Sequence, residues 1–191
     1  MSVICICADD VPYQPWRNTH GTTRELLCWP DTQDWSARVS VADVVRDGPF
    51  SPYPGIARWF AVIEGAGLVL RFGRVTHWVE VDEAPFRFDG GAAPTCQLID
   101  GPTRDLSLML RDGQGLMCDV AAGAVWRARF SLRGLYTAGA GRWWSDGSER
   151  RLAANTLLWS DSDAGAAWRF EPDTPPTRAW WMGFTPEEAV A

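Results

Sequence analysis

Several residue types and motifs are missing from this 191-residue chain. Lysine is absent, so all 18 basic side chains are arginines. Histidine occurs only at positions 20 and 77, which are too few and too far apart in sequence for the clustered nitrogen ligands of a transition-metal site. No Gly-x-Ser-x-Gly motif marks a nucleophilic serine. We therefore expect no metal, no cofactor and no serine hydrolase triad.

The chain also lacks the segments that direct proteins to export, membranes or nucleic acids. The apolar run over residues 3–8 is too short for a signal peptide and has no basic start. No segment approaches the roughly 20 apolar residues of a membrane span. The net charge is −6, and no basic stripe suits nucleic acid. These absences predict a cytoplasmic protein without a membrane or nucleic-acid partner, and a homodimer is compatible with the sequence.

Cysteine is present but does not form a disulfide framework. The chain has five cysteines, an odd number with irregular spacing. Cys5 and Cys7 lie two residues apart in an apolar segment, so their thiols should point to one face of a strand. Because no further metal ligand lies nearby in sequence, we expect buried free thiols rather than a metal site.

Short strands with frequent turns dominate the pattern. Residues 35–41 alternate between apolar and polar side chains, and turn residues recur every 8–12 positions, as in sandwiches and barrels. The chain has 12 tryptophans, which suit sheet faces and include the expected core residues Trp16 and Trp59. A similar order of turns and strands in residues 65–90 and 139–161 suggests two related barrels. We predict an all-β chain divided into residues 1–111 and 112–191, with strands free to exchange between the two parts; one short helical turn is expected over residues 185–189.

Polar residues on one strand face indicate a ligand site. Arg38 and Ser40 should share the polar face of residues 35–41. A buried arginine needs a partner, because an unpaired charge is costly to bury. Two partners remain open at this point: an internal salt bridge with Glu25 or Asp105, or an anionic ligand. The guanidinium fork suits a carboxylate through paired hydrogen bonds.

Three segments resemble the signatures of the HutD/Ves family of bicupin proteins. Residues 15–25, Pro-Trp-Arg-Asn-Thr-His-Gly-Thr-Thr-Arg-Glu, resemble the family's Pro-Trp-Lys-Asn-Gly-Gly-Gly-x-Thr-Arg-Glu. Residues 36–40, followed by Gly-Pro-Phe-Ser at 48–51 and Tyr-Pro-Gly at 53–55, resemble the middle block of the family. Residues 100–109, Asp-Gly-Pro-Thr-Arg-Asp-Leu-Ser-Leu-Met, resemble the third block. The order and spacing of all three blocks fit the family.

The resemblance implies a two-barrel cupin fold without the usual metal. It also implies a link to histidine utilisation, in which such proteins are thought to restrain the pathway by binding an intermediate such as urocanate or N-formylglutamate. The chain departs from the family pattern at four positions. Arg17 replaces the usual lysine, Thr19 and His20 replace two glycines, and Ser107 stands where asparagine is usual.

These observations together predict a metal-free protein that binds a small anionic metabolite with regulatory output. The alternative is an enzyme, an isomerase or hydrolase of a small carboxylic acid, with Glu25 or Asp105 as its base. Asn18 suits a turn with positive φ or a ligand contact. The predicted ligand-binding residues are Arg17, Asn18, Arg24, Arg38, Ser40, Arg58, Asp105 and Ser107.

Overall fold

The computed structural model describes residues 3–16, 18–161 and 165–187. Within these ranges nearly all regular structure is β-strand, and the helices are the 3-10 segments Ala8–Asp10 and Gly90–Ala92. The prediction of an all-β chain with very little helix is confirmed. The helical turn expected from residue 185 is not found, because the last strand runs through Pro186; residues 188 and 189 lie outside the described ranges. No helix in the described ranges is long and apolar enough to cross a membrane.

The chain divides into two compact units. The first unit is Pro12–Asp112, and the second contains residues 3–11 together with the described residues from 113 onward. This division differs from the expected one at residues 1–111 and 112–191, because the N-terminal strand joins the second unit. Strand β1 (Val3–Cys7) pairs antiparallel with Thr156–Ser160, where Ile4 and Ile6 stand opposite Trp159 and Leu157.

The first unit consists of two antiparallel sheets packed on one core. Its strands are β2 (Gln14–Pro15), β3 (Gly21–Trp29), β4 (Ala37–Val44), β5 (Gly48–Pro49), β6 (Ile56–Glu64), β7 (Gly67–Phe72), β8 (Val75–Glu80), β9 (Phe86–Asp89), β10 (Thr95–Leu98) and β11 (Thr103–Arg111). The six-stranded sheet has the order β2-β3-β4-β11-β6-β9, and the four-stranded sheet has the order β5-β10-β7-β8. Buried side chains from both sheets, including Phe60, Val62, Leu68 and Leu70, form a single apolar cluster.

The second unit is built in the same way from two sheets. Its further strands are β12 (Gly113–Asp119), β13 (Val125–Trp126), β14 (Leu132–Thr137), β15 (Gly141–Ser145), β16 (Ser148–Leu152), β17 (Thr156–Ser160), β18 (Trp168–Pro172) and β19 (Ala179–Pro186). The sheet orders are β1-β17-β14-β19-β12 and β13-β18-β15-β16. Its core contains Trp143, Trp168 and Trp181, all at most 3% exposed.

A turn with left-handed backbone leads into β11. Asp100 and Gly101 adopt φ values of 49° and 103°. Aspartate and glycine tolerate this region better than other residues do, which explains why this dipeptide marks the turn in the sequence. The turn directs β11 between β4 and β6, so that alternate side chains of β11 face the interior of the first unit.

Candidate functional site

The first unit contains a partly open cavity of about 480 Å³. Strands β4, β6 and β11 supply half of its polar lining residues. Its walls include Gln14, Pro15, Trp16 and Asn18 and, further along the chain, Pro49, Phe50, Ser51 and Tyr53. Three successive rows of residues cross β4, β11 and β6 in register beneath it: Arg38, Met109 and Arg58; then Ser40, Ser107 and Phe60; then Ala42, Asp105 and Val62.

Arg58 is buried at the cavity and has no counter-ion. The residue is 6% exposed, and no carboxylate of the described residues lies within ion-pair distance. Its guanidinium carbon lies 5.4, 5.6 and 5.1 Å from the ring centroids of Phe50, Tyr53 and Phe88, close enough for cation–π attraction. Burial lowers the pKa of Arg58 to about 10, with Tyr53 opposing and Arg38 adding to this shift. The side chain therefore remains charged near neutral pH, and its Nε has no hydrogen-bond partner.

Arg38 has an internal partner and also lines the cavity. Its Nε lies 2.8 Å from Glu25 Oε2, but the N–H does not point at that oxygen, so the contact is an ion pair rather than a hydrogen bond. Its Nη1 donates to the Tyr53 hydroxyl at 3.4 Å. Of the two partners that the sequence left open for Arg38, the salt bridge with Glu25 is therefore present, and the side chain still borders the cavity.

Asp105 and Ser107 bring unpaired polar atoms to the same cavity. Asp105 is fully buried; its Oδ2 accepts a hydrogen bond from Thr103 Oγ1 at 2.9 Å, and its Oδ1 has no partner. Burial raises the pKa of Asp105 well above its ordinary value; the Thr103 hydrogen bond opposes this shift and the nearby Asp43 charge adds to it. The carboxyl is therefore protonated over a wider pH range than an exposed aspartate. Ser107 Oγ is also buried without a hydrogen bond.

The site residues predicted within residues 15–25 do not all lie at the cavity. Asn18 lines the cavity, and its Oδ1 accepts a hydrogen bond from the His20 backbone N–H at 3.0 Å. The left-handed position of this turn is Thr19, with φ of 59°, rather than Asn18. Arg17 lies outside the described residues, so its predicted role stays a prediction.

Arg24 does not line the cavity. It lies on the opposite face of the six-stranded sheet, where its Nη1 forms an ion pair with Asp43 Oδ2 at 2.7 Å. Arg104 Nε binds the other oxygen of Asp43, also at 2.7 Å. Strand alternation explains the difference, because Glu25 stands beside Ser40 on the cavity side and its neighbour Arg24 must point the other way. Placing Arg24 in the ligand site is therefore not supported by this geometry.

Sequence reasoning missed the aromatic part of the lining. Phe50, Tyr53 and Phe60 border the cavity, as does Trp16, which was expected in the core. The indole Nε1 of Trp16 donates to Thr23 Oγ1 at 2.7 Å, while Trp59 is 6% exposed and faces away from the cavity. The Gly-Pro-Phe-Ser segment of the middle block was the one available signal for Phe50. Nothing in the local sequence indicates that Tyr53 contacts both arginines.

Cysteines and histidines do not gather at the cavity. In the described ranges, no group of three or more histidine, cysteine, aspartate and glutamate side chains could hold a metal ion. The expectation of buried thiols at the N-terminus is wrong for Cys5, which is exposed, and Cys7 is half-buried, because β1 is an edge strand. His77 stacks on Phe86 with ring centroids 3.6 Å apart.

The chain matches a family model and several curated proteins, and these matches agree with the resemblance seen in its sequence. The HutD family model matches residues 8–172 of the chain. Protein Ves of Citrobacter koseri is 35% identical over 104 residues, which cover 53% of this chain and 54% of that protein. A 21.2 kDa protein of Pseudomonas putida, encoded in the hutC 3′ region and uncharacterised, is 30% identical over 104 residues, or 53% of this chain and 55% of that protein. The chain spans about half the length of the curated relatives it matches.

Solved structures resemble the chain over nearly its whole length. A conserved protein of unknown function from Pseudomonas aeruginosa PAO1 is 26% identical with a TM-score of 0.88, covering 97% of this chain and all of that one. HutD from Pseudomonas fluorescens SBW25 is 24% identical with a TM-score of 0.85, covering 98% and 100%. A variant of Bacillus subtilis oxalate decarboxylase has a TM-score of 0.62 at 10% identity, covering 96% and 77%. These neighbours confirm the predicted two-barrel, cupin-like fold.

Proposed function

The chain belongs to the HutD family, and on that premise we propose that its first unit binds a small anionic metabolite with a regulatory rather than catalytic outcome. Family membership supports a role associated with histidine utilisation. Urocanate and N-formylglutamate are the candidate ligands that this association suggests. The proposal involves no metal, cofactor, nucleic acid or membrane.

The observation that carries the proposal is the uncompensated charge of Arg58. A buried guanidinium without a counter-ion is held at an energetic cost, and aromatic faces offset only part of it, about 2 kcal/mol when desolvated. A ligand carboxylate placed beside Arg58 supplies the missing charge. Each charge-assisted hydrogen bond then contributes about 1.5–3 kcal/mol. The Nε of Arg58 is one donor left open for such a bond.

Neighbouring groups fit the same ligand. The guanidinium of Arg38 is a second one at the cavity. Because Glu25 neutralises its charge, Arg38 adds hydrogen-bond donors but no net charge. Tyr53 contacts both arginines, one through its hydroxyl and the other through its ring. The cavity of about 480 Å³ matches a small metabolite, since ligand cavities typically span about 300–1,000 Å³.

A thermal-shift screen with urocanate, N-formylglutamate, histidine, glutamate and formate tests the proposal. A ligand that binds only the folded state raises the free energy of unfolding by about 2.7 kcal/mol at 100 times its Kd. We expect at least one carboxylate to stabilise the protein. The Arg58→Met variant should lose that shift, with affinity at least about tenfold lower, whereas Arg24→Gln should keep it, because Arg24 lies on the other sheet face. No shift with any of the five compounds at millimolar concentration would contradict the proposal.

An enzyme remains the second candidate, because a buried carboxyl with a raised pKa beside a cavity is also typical of catalytic sites. Asp105 in its protonated form would act as an acid, and Glu25, paired with Arg38, as a base. Incubation of the five compounds with the protein, followed by NMR, separates the candidates. Product formation that is lost in Asp105→Asn would favour the enzyme.

A further inference from the structure

Strand β8 in the first unit has one edge that no other strand covers. It is an end strand of the four-stranded sheet, and among the described strands it pairs with β7 alone. In an antiparallel edge strand, alternate residues direct both their N–H and their C=O away from the neighbouring strand. Glu80 is such a residue, because Ile99 N–H donates to the carbonyl of Gly67, which stands opposite Glu80 on β7. The outward N–H and C=O of Glu80 instead bond to Glu83, at 3.4 and 3.2 Å.

The two other outward residues of β8 are Thr76 and Trp78. They precede Glu80 by four and two positions, so the same alternation turns their main-chain N–H and C=O groups to the uncovered edge. The Trp78 side chain is 54% exposed, which is unusual for so large an apolar group. Main-chain hydrogen-bonding groups beside an exposed aromatic side chain are typical of a strand that pairs with another chain.

Other sheet edges of the described chain are protected in ways that β8 is not. At the far end of the same sheet, β5 consists only of Gly48–Pro49, and proline cannot donate to a further strand. At the outer edge of β1, Arg150 Nη1 donates to the Val3 carbonyl at 3.4 Å. Residues 76–79 of β8 include neither proline nor a side chain of the Asp, Glu, Lys or Arg type, which commonly block edge pairing.

The charges at the two ends of β8 are complementary to each other. Arg74 lies at the turn before the strand and Glu80 at its last position, and both are exposed. Neither forms an ion pair with another described residue. When two copies of one strand pair antiparallel, the beginning of each lies beside the end of the other. Arg74 of each copy would therefore lie beside Glu80 of the other.

We propose that β8 pairs antiparallel with β8 of a second copy of this chain, about a two-fold axis at His77, and forms a homodimer. In this register Thr76 of one copy stands opposite Trp78 of the other, and the two residue pairs exchange about four main-chain hydrogen bonds. A two-fold axis at Trp78 would set Thr76 opposite Glu80, whose main-chain groups already bond to Glu83. The register centred on His77 therefore satisfies more of the outward groups.

The exposed tryptophan gains a partner in the same arrangement. The Trp78 side chains of the two copies lie diagonally across the axis on one face of the joined sheet, a separation that aromatic side chains can span. Pairing of a single short strand buries less surface than a standard interface, so we expect a reversible dimer with a Kd on the order of 10 µM.

Sedimentation velocity of the full chain over about 1–500 µM measures the association. We expect the monomer to convert to a dimer across this range. Thr76→Pro should raise the dimer Kd about tenfold or more, because it removes an N–H that pairs with the second copy, while the fold tolerates proline at an outward edge position. Thr76→Val is the matched control: it keeps the N–H and the branched side chain, so its Kd should stay within about threefold of wild type.

Charge reversal tests the antiparallel arrangement. Arg74→Glu and Glu80→Arg should each raise the dimer Kd about fivefold or more, because each places like charges side by side at both ends of the pair. The double variant exchanges the two charges and should return to within about threefold of wild type. Hydrogen exchange at low and high protein concentration should show protection of the Thr76 and Trp78 amides in the dimer.

The outcomes distinguish this dimer from other arrangements. A chain that stays monomeric up to about 500 µM would overturn the proposal and leave the edge to an extended segment of a different protein or to solvent. A dimer that neither Thr76→Pro nor charge reversal weakens would also overturn it, since the copies would then meet at another surface. Melting temperatures establish that the variants are folded; if Thr76→Pro does not fold, charge reversal and its rescue decide.

This inference does not depend on the proposed function, because β8 contributes no residue to the lining of the cavity. Arg58→Met should dimerise as wild type does, although it should lose carboxylate binding. Conversely, Thr76→Pro should keep the carboxylate affinity of the wild-type protein. Failure of the dimer would thus leave the ligand proposal in place, and failure of ligand binding would leave the dimer in place.

Discussion

An arginine side chain is buried among aromatic rings in each of the two units, but its surroundings differ. Arg133 in the second unit is 1% exposed, lies 4.5 Å from the Trp168 ring centroid and donates to the backbone carbonyl of Ala166. Arg58 in the first unit has three rings around it and a cavity beside it. The two buried arginines therefore differ in their surroundings: Arg58 borders a cavity, whereas Arg133 donates to a backbone carbonyl.

The central rows of the two larger sheets explain this difference. In the second unit, the middle of β14 brings Leu135 between Leu158 and Trp181, and all three belong to its apolar core. In the first unit, the corresponding central strand β11 brings Ser107 between Ser40 and Phe60. Three large apolar side chains form this row in the second unit, whereas two of the three residues of the row in the first unit are serines, which leave space beside Phe60. Residue volume at these positions therefore separates a packed core from a cavity.

The largest expected effect on the free energy of unfolding comes from removing a large side chain from the core of the second unit. Trp143 is 2% exposed and stacks edge-on against Trp168 with centroids 5.2 Å apart. Replacement of Trp143 by alanine should lower the free energy of unfolding by about 3–5 kcal/mol, since a buried aromatic is lost and a cavity is left. Urea denaturation measures this change. Trp143→Phe is the control and should cost less, because the Trp143 Nε1 has no hydrogen bond to lose. A loss below about 1 kcal/mol for the alanine variant would show that this interior is not tightly packed.

An effect of intermediate size is expected for the pH dependence of the free energy of unfolding. Asp105 and Asp43, on opposite faces of the six-stranded sheet, should change it in opposite directions. Because burial raises the pKa of Asp105, the folded state holds its proton more tightly than the unfolded state, whose pKa is near 3.8. The stability contribution of Asp105 is therefore full below the unfolded pKa and is lost as pH rises through the window up to the folded pKa. Asp105→Asn should therefore be more stable than wild type at pH values above the unfolded pKa. The difference should grow by about 1.4 kcal/mol for each pH unit up to the folded pKa of Asp105 and stay constant above it.

Asp43, on the sheet face opposite the cavity, is the matched control for this measurement. Burial raises the pKa of Asp43, but hydrogen bonds from Arg104 and Arg24 outweigh it and the pKa is lowered. Its stabilising contribution is therefore present above the unfolded pKa and is lost as pH falls through the folded pKa. Asp43→Asn should be less stable than wild type at pH 7, and this difference should shrink in acid. Denaturation curves at pH 4, 6 and 8 check both variants; parallel pH profiles for the two would refute the assigned environments.

The smallest effect is expected from Arg24. Its side chain is 19% exposed, and Asp43 keeps its second partner Arg104 when Arg24 is removed. Arg24→Gln should change the free energy of unfolding by less than about 1 kcal/mol, as is usual for partly exposed ion pairs. Carboxylate affinity should stay within about twofold. A loss of affinity as large as that of Arg58→Met would place Arg24 in the ligand site after all.

Part of the candidate site was predictable from local pattern. Strand alternation correctly placed Arg38 and Ser40 on one face, and the third block supplied Asp105 and Ser107 at matching spacing. The same alternation separated Arg24 from Glu25 but could not show which of the two faces the interior. That choice depends on the pairing of β3 with β4, which contains an irregularity between Glu25 and Leu27. A two-residue period contains no information about this pairing.

The alternation within strands, the turn residues and the family signatures were enough to predict the all-β, two-barrel architecture. Each of these signals is a pattern of residues that lie close together in the chain. Whether each polar group is buried, and whether it has a partner, was decided only by the tertiary structure. Arg58 is unpaired because Phe50, Tyr53 and Phe88 surround it where a carboxylate would be needed. Asp105 Oδ1 has no partner among the described residues for a similar reason, since β4 and β6 bring Ala42 and Val62 beside it. Burial and charge depend on neighbours that folding brings together from distant strands, and local sequence does not specify them.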